Sequence, residues 1–163
     1  VPEDNKDTAE PAKVMKHVQW YADYFSAITG IEVGPDDLIR MSERVYNFQR
    51  IFNLRMGFGR RQHDDLPYRA VGPVTEIEYE SRAERYDRQL VETYKADIDG
   101  KSAAEKLAML RKYREEQYEK LKDAVYKRRG WTNDGIPTQK TVKRLGIDFD
   151  DVMELLKANG VNS

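Results

Sequence analysis

The chain contains no cysteine among its 163 residues. It therefore cannot form a disulfide framework, and it cannot hold an iron–sulfur cluster by the usual thiolate ligands. Histidine is scarce too, since only His17 and His63 occur and they lie far apart in the sequence. A metal site built on them would need several carboxylates as well, so we expect no metal and no cofactor bound by this chain alone.

Long apolar runs and an excess of one charge are also missing. No stretch of about 18 apolar residues occurs, so no transmembrane helix is expected. The N-terminus is polar and acidic, unlike a secretory signal, and we expect a cytoplasmic protein. The 28 basic and 29 acidic residues leave a net charge of −1, whereas a nucleic-acid-binding surface usually shows a clear basic excess.

Apolar residues at helical spacing are abundant, and the clearest set predicts a central helix after Gly34. Pro35 suits a first helical turn, and Asp36 and Asp37 sit where the helix dipole favours negative charge. Gly57 is placed to end the helix. Steps of three and four residues predict one buried seam, formed by Leu38, Met41, Val45, Phe48, Phe52 and Met56.

Five more helices are predicted by the same criteria: from 10 or 11 to 29, from 79 or 81 to 96, and over 103–129, 139–145 and 149–158. Ser102 with Glu105 forms a capping box for the long one, and Thr138 and Asp148 are the expected caps of the last two. The sequence therefore predicts an all-α fold, an irregular multi-helix domain with its core around the central seam. We expect residues 1–163 to form one domain, with residues 1–10 loosely structured.

Two of these helices have their own predicted seams. The first helix should bury Val14, Val18, Tyr21, Phe25 and Ile28. The long helix should bury Leu107, Leu110, Tyr113 or Arg114, Gln117, Leu121, and Ala124 or Val125. Between the central and third helices, Thr75–Tyr79 alternates like a short strand, but a strand without a partner is better treated as a loop or edge segment.

The turn after the central helix is dense in charge, with Arg60, Arg61, His63, Asp64 and Asp65. Such a cluster is most often a solvated or self-paired loop. The alternative is an arginine–aspartate network that fixes the loop against another part of the protein. As an anion site the cluster is weak, because the two aspartates neutralise its arginines.

No motif assembles a catalytic or binding site. Gly57-Phe58-Gly59 lacks the third glycine and the preceding strand of a phosphate-binding loop. Asp97-Ile98-Asp99-Gly100 lacks the ligand ladder of a calcium loop. We therefore assign no catalytic, cofactor-binding or metal-binding residue, and His17 is interpreted as a partly buried structural histidine.

Two separated signatures nevertheless stand out. The first is ERVYNFQRIFNLRMG, 43–57, followed by Arg61, Asp64-Asp65-Leu66-Pro67 and Arg69. The second is Tyr126, Arg129-Gly130-Trp131, Asp134-Gly135-Ile136-Pro137-Thr138 and Leu145-Gly146. In this order they resemble the C-terminal region of the tungsten-containing aldehyde:ferredoxin oxidoreductases. The resemblance covers Val18 to Ile147.

The resemblance implies a large parent enzyme with an N-terminal pterin-cradling domain and two helical domains, of which this chain is the end of the last. The family holds tungsten between two pterin dithiolenes beside a [4Fe-4S] cluster, oxidises aldehydes to carboxylic acids and passes electrons to ferredoxin. A related branch, the class II benzoyl-CoA reductases, reduces aromatic rings. No ligand of that family matches a position here, so this piece alone should be inactive.

The remaining expectations concern partners. The start at Val1 is interpreted as a cut from a longer chain. The resemblance implies an anaerobe as the source and, as partners, the upstream domains of the same enzyme and ferredoxin or another electron-transfer subunit. A homo-oligomer is a candidate state. Residues 80–116 are longer than the family pattern and are interpreted as a helical insertion, a candidate docking surface. The alternative is a free-standing helical interaction module that binds through this insertion.

Overall fold

The structure, a computed structural model, describes the backbone of residues 11–162 and the side chains from Lys16 onward. It divides into two compact units, Val1–Phe58 with Ile136–Ser163 (unit 1) and Gly59–Gly135 (unit 2). The prediction for residues 1–10 lies outside the described residues. That all 163 residues act as one domain stays a prediction.

Within residues 11–162 the chain forms seven α-helices and no β-strand, which confirms the all-α prediction. Short 3₁₀ helices occupy Arg61–Asp64 and Tyr68–Val71, and a π-helical turn covers Gln89–Thr93. None of the described helices is both long enough and apolar enough to cross a membrane. The α-helices are α1 (Pro11–Thr29), α2 (Pro35–Arg55), α3 (Glu76–Glu80), α4 (Ala83–Arg88), α5 (Ala103–Arg129), α6 (Gln139–Leu145) and α7 (Asp150–Ala158).

Two helices begin where the sequence predicts, each at a recognisable capping residue. Ser102 Oγ accepts from Glu105 N at 3.3 Å, and the Glu105 carboxylate accepts from Ser102 N at 2.8 Å. These reciprocal bonds satisfy two amides that no carbonyl inside α5 reaches. Thr138 caps α6 in the same way, accepting from Thr141 N at 3.2 Å. The last helix differs slightly, because Phe149 rather than Asp148 is the residue before its first turn.

The segment around Thr75 corrects two predictions. Residues 75–79 are neither strand nor loop, because Thr75 Oγ1 accepts from Glu78 N at 3.2 Å and starts α3. The helix predicted over 81–96 breaks into α4 and the π-helical turn. The cap and the acidic first turn of α3 favour a helix start, and this local chemistry outweighs the strand-like alternation. Arg82, at φ −137°, then separates α3 from α4.

Unit 1 has an apolar core in which α2 packs against α6. Two polar links accompany it: a buried hydrogen bond from Gln139 Nε2 to Val161 O at 2.8 Å, and the exposed Arg55–Asp151 ion pair at 2.6 Å. Burying such a set of aliphatic side chains is the main favourable term in folding this unit. The core consists of Ile51, Leu54, Ile136, Val142, Leu145, Ile147, Val152, Leu156 and Val161.

The predicted central seam was wrong about which face of α2 is buried. The helix buries Asn47, Ile51 and Leu54, and Ile51 is only 2% exposed. Its neighbour Phe52, a member of the predicted seam, is 57% exposed. Helix α2 carries apolar residues on two faces, and the core of unit 1 forms on the face that was not predicted. The exposed members of the predicted seam are Val45, Phe48, Phe52 and Met56.

Helix α1 likewise exposes residues that were predicted to be buried. Ala22 is the buried residue of its described part, and Val18 and Phe25 are half-buried. Tyr21 and Ile28 are exposed, Ile28 to 83%. A small residue at the contact lets α1 approach α2 closely, since the helix–helix distance depends on the side chains that meet there.

Unit 2 has a smaller, aromatic core that lies between residues 79 and 113. Its centre is Tyr79, Tyr86, Leu90 and Leu110. The buried Tyr79 hydroxyl donates to Asp87 Oδ1 at 2.7 Å, and Lys106 Nζ donates to the other oxygen of Asp87 at 2.9 Å. Burial, followed by the bond to Asp87, raises the pKa of Tyr79. The residues interpreted as an insertion thus carry most of a core of their own, while their status as an insertion stays a prediction.

The inner face of α5 follows the predicted seam only in its first half. Leu107 and Leu110 face the aromatic core as predicted. Further along, the buried residues are Arg111, Lys122 and Tyr126, whereas the predicted Gln117, Leu121 and Val125 are exposed. Polar groups of residues 64–73 meet this side of the helix and make it suitable for cations.

Candidate functional site

The charged turn of the first signature lies against α5. Arg61 Nη2 donates to Glu119 Oε2 at 2.5 Å, and Arg61 Nη1 donates to Asp123 Oδ1 at 2.7 Å. The same nitrogen donates to Asn133 O at 3.1 Å, and the guanidinium carbon lies 5.6 Å from the centre of the Tyr126 ring. Hydrogen bonds to Glu119 and Asp123 raise the pKa of Arg61. Arg61 is therefore a fixed cation that links the turn to two acidic residues of α5.

A buried lysine continues this network. Lys122 has a side chain only 5% exposed, and its Nζ lies 2.6 Å from both Asp65 Oδ1 and Glu119 Oε1. Burial lowers the pKa of Lys122, but the hydrogen bonds to Asp65 and Glu119 outweigh burial, and the net change is upward. The bonds from Lys122 and then Arg61 lower the pKa of Glu119. Glu119 thus bridges two cations, and both favour its ionised form.

Two tyrosines of α5 hold Asp64, the other aspartate of the turn. The Tyr118 hydroxyl donates to the Asp64 carbonyl, and the Tyr126 hydroxyl donates to Asp64 Oδ2 at 2.5 Å. Both aspartates and Arg61 therefore bind one side of α5. The arginine–aspartate network, the less frequent of the two interpretations, is the one that the structure confirms.

The second signature joins the same network, although about seventy residues separate it from the first along the chain. Arg60 forms an ion pair with the Asp134 carboxylate, and Arg61 N donates to Asp134 O at 2.9 Å. Trp131 is buried, with its ring centre 5.7 Å from that of Tyr126. Residues that carry the family resemblance thus meet in one place in unit 2.

Arginines of α5 bind the segment that follows the turn. Arg111 donates to Tyr68 O at 2.8 Å and Pro73 O at 3.1 Å, and its guanidinium carbon lies 3.7 Å from the centre of the Tyr68 ring. Arg114 donates to Val71 O at 3.1 Å. A Cβ on Gly72 would lie 2.9 Å from Arg114 Nη1, so glycine permits this close approach. The buried guanidinium groups thus satisfy carbonyls that would otherwise lose their contact with water.

The ion pairs of this network hold the loop after α2 against α5. Its cations Arg60, Arg61 and Lys122 are matched by Asp134, Glu119, Asp123 and Asp65. The four carboxylates outnumber the three cations, so this set has no excess positive charge that would attract an anion. The network contains no nucleophile beside a general base, and its role is to fix residues 59–74 on α5.

The two histidines lie apart from any metal-binding group. His17 is half-buried, as predicted, with its ring centre 4.8 Å from that of Trp20, and its Nε2 finds no hydrogen-bond partner in the described part of the chain. His63 Nδ1 accepts from Arg60 N at 3.2 Å. No group of three or more histidine, aspartate and glutamate residues suited to a metal ion occurs within the described residues.

Unit 1 exposes a set of apolar side chains on α1, on α2 and at Phe149, and sequence reasoning missed this surface. We call it the α1–α2 apolar face; it consists of Tyr21, Tyr24, Ile28, Val45, Phe48, Phe52, Met56 and Phe149. An open groove of about 440 Å³ lies on it, lined by Met41, Arg44, Val45, Phe48, Gln49, Ile147 and Phe149. A neighbouring groove of about 360 Å³ shares Met41, Val45 and Gln49 and reaches Phe25 of α1. Such an extended apolar surface is typical of a contact with another folded body.

Comparison with known families decides what these signatures mean. The sequence model described as aldehyde ferredoxin oxidoreductase, domains 2 & 3, matches residues 7–147. The chain belongs to the aldehyde ferredoxin oxidoreductase family. The matched range includes both signatures, the network that joins them and nearly all of the α1–α2 apolar face.

Three curated relatives of this chain are each named tungsten-containing aldehyde ferredoxin oxidoreductase. Those of Pyrococcus horikoshii and Pyrococcus abyssi are each 27% identical over 129 residues, or 78% of this chain. That of Pyrococcus furiosus is 32% identical over 94 residues, or 55% of this chain. The chain spans only 16% of the length of each relative. No solved structure matched significantly.

Sequence reasoning also missed the buried Arg111 and Lys122 of α5, although a signal for them exists. Arg111, Arg114, Tyr118, Lys122 and Tyr126 recur at steps of three and four residues, which is the spacing of one helix face. A search for apolar residues skips this face, because it is lined by long polar side chains. Their aliphatic and aromatic parts pack inward while the polar ends reach the loop.

Proposed function

We propose that this chain is the C-terminal helical domain of a tungsten-bis-pterin, [4Fe-4S] oxidoreductase. The parent enzyme oxidises aldehydes to carboxylic acids in the cytoplasm of an anaerobe and passes the electrons to ferredoxin. The observation that carries this proposal is the family match over residues 7–147, together with three relatives whose names include tungsten, aldehyde and ferredoxin.

The residues of this chain do not fit either cofactor as ligands. The sequence has no cysteine thiolate for an iron–sulfur cluster. The described residues bring together no group of three or more potential metal-binding side chains. We therefore assign the tungsten, the pterins and the cluster to other parts of the parent protein, and we expect the 163-residue chain alone to be inactive.

The role that remains for this chain is to form one helical wall of the larger enzyme. Two features support that role. One is the network of unit 2, whose charged residues form ion pairs with one another, and the other is the α1–α2 apolar face of unit 1. Through the network, α5 and the turn after α2 act as one rigid element, and rigid elements position functional sites better than loops do.

Metal analysis of the complete gene product tests the proposal. The product is expressed anaerobically with tungstate. Aldehyde oxidation is then measured with a viologen dye as electron acceptor and, separately, with ferredoxin as electron acceptor. We expect tungsten and iron in the complete product and neither in the 163-residue chain. A complete product without tungsten would contradict the proposal.

The two other candidates predict different outcomes in the same experiment. A class II benzoyl-CoA reductase would turn over benzoyl-CoA and leave simple aldehydes unchanged. A free-standing interaction module would bind a protein through residues 80–116 and contain no metal in any form.

A further inference from the structure

We propose that the α1–α2 apolar face is the surface on which the rest of the same longer polypeptide docks. The inference rests on the proposed function, in that it treats this chain as one part of a larger family member. The inference adds a location to the proposed function. The contact is formed by the exposed side of α2, by α1 and by Phe149, and this contact leaves the core of unit 1 intact.

The geometry separates this face from the core. Helix α2 buries Ile51 and Leu54 on one side, against the residues of α6 and α7 that form the core of unit 1. Its other side presents Phe48 and Phe52 to solvent. Both sides of one helix are therefore apolar, and a helix that is apolar on both sides is normally covered on both.

The exposed side is also organised as a surface. The rings of Phe48 and Phe149 meet edge to face, with centres 6.4 Å apart, although the two residues lie a hundred positions apart in sequence. Together they border the 440 Å³ groove, and the 360 Å³ groove continues it toward α1. A groove built from two parts of the chain can receive apolar side chains of a partner.

The chemistry of the lining identifies the kind of occupant. Among the described residues that line the two grooves, Arg44 is the only charged one. A strongly charged partner would find almost no complementary charge here, whereas an apolar surface would bury its side chains without leaving a charge unpaired. The expected occupant is therefore an apolar surface of a folded domain.

The length of the relatives points to where that domain comes from. The chain spans 16% of each curated relative, so a much longer polypeptide accompanies the matched region in each of them. Val45, Phe48, Phe52 and Met56 all lie in the matched range. A domain on the same polypeptide is present at a high effective concentration, so it covers this face ahead of a second copy.

Hydroxyl-radical footprinting tests the proposal on two proteins, the 163-residue chain and the complete gene product that carries it. We expect labelling of Phe48, Phe52 and Phe149 to fall roughly fivefold in the complete product, because an interface core excludes water. Equal labelling of these residues in both proteins would overturn the proposal. A dimer of the 163-residue chain that already protects them would overturn it too, in favour of a second copy.

A pair of matched variants separates docking from general surface polarity. Phe52→Asp lies on the face, and Leu121→Asp lies on α5 with the same exposure of 57%. Neither should change the unfolding midpoint of the 163-residue chain. In the complete product, Phe52→Asp should raise the rate of limited proteolysis at least severalfold, whereas Leu121→Asp should not. Equal proteolysis of the two variants would count against the proposal.

Tungsten analysis of the same preparations keeps the two proposals distinguishable. Protection of the face in a product without tungsten supports docking and contradicts the proposed chemistry. Tungsten in a product whose face remains fully labelled supports the chemistry and contradicts docking.

Discussion

The two units of this chain solve the same problem, fixing a helix, with opposite chemistry. In unit 1, aliphatic side chains of α2, α6 and α7 exclude water, and the Arg55–Asp151 ion pair is exposed. In unit 2, α5 is held from residue 111 onward by Arg111, Lys122 and Arg61, whose partners are carboxylates and backbone carbonyls. The contrast shows that neither polarity nor apolarity of a residue tells by itself which helix face is inside. What decides is the surface that meets the helix.

The largest expected effect is in the unit 1 core, where two neighbouring residues of α2 test the assignment of its faces. Ile51→Ala should lower the free energy of unfolding by about 2–5 kcal/mol, because it leaves a cavity among packed aliphatic groups. Phe52→Ala, one position along, should change it by less than about 0.5 kcal/mol in the 163-residue chain. Urea unfolding followed by circular dichroism measures both, and a larger loss for Phe52→Ala would restore the predicted seam.

The corresponding change in unit 2 is Lys122→Ala. It leaves Asp65 and Glu119 without their shared cation, but both carboxylates keep some contact with solvent. We therefore expect a loss of about 1–3 kcal/mol, below the figure for a fully buried pair. The exposed Lys120→Ala serves as the control in the same urea experiment. Equal effects of the two variants would mean that the buried ammonium contributes nothing to stability.

A smaller effect is expected for a single hydrogen bond of the network. Tyr126→Phe keeps the ring beside Trp131 and removes the hydroxyl that donates to Asp64 Oδ2. The loss should be about 1 kcal/mol. Tyr24→Phe, on the exposed side of α1, should leave the unfolding midpoint unchanged. Guanidinium chloride titration can resolve the difference, and an unchanged midpoint for Tyr126→Phe would show that the turn is held by its ion pairs alone.

The smallest effect is the pH dependence that Glu119 contributes. Bonds from Lys122 and Arg61 lower the pKa of Glu119 in the folded chain below its ordinary value of 4.5. Its contribution to stability is therefore complete above that value and is lost as the pH falls through the lower folded pKa. Unfolding midpoints measured from pH 7 down to pH 3 should fall less steeply in Glu119→Gln than in the unchanged chain. Parallel curves would exclude this carboxylate as a source of acid sensitivity.

The sequence predicts the parts of this fold that depend on local chemistry. The starts of α5 and α6 are correct, because a capping hydroxyl is recognisable without tertiary information. Prediction from the sequence fails where two faces of a helix have equivalent apolar spacing. Both sides of α2 have helical apolar spacing, and only the position of α6 and α7 decides that Ile51 rather than Phe52 is inside. The break at Arg82 and the π-helical turn likewise depend on packing around Tyr79 and Leu90.

The candidate site was predicted to a similar extent. The charged turn and the second signature were both identified, but their meeting at Arg61 and Asp134 is a contact between distant residues. No spacing rule reveals such a contact in a single sequence. The exposed apolar face was missed for a related reason, since the residues that form it were assigned to the core.

Helix α5 is 27 residues long, which corresponds to a rod of about 40 Å. Its first half is embedded in the aromatic cluster around Tyr86, and its second half is clamped by the family signature. A push or twist applied to residues 80–100 is therefore delivered by this rod to Asp64, Asp65 and the loop at Trp131. One continuous helix thus joins the aromatic cluster of residues 79–113 to the charged turn of the first signature.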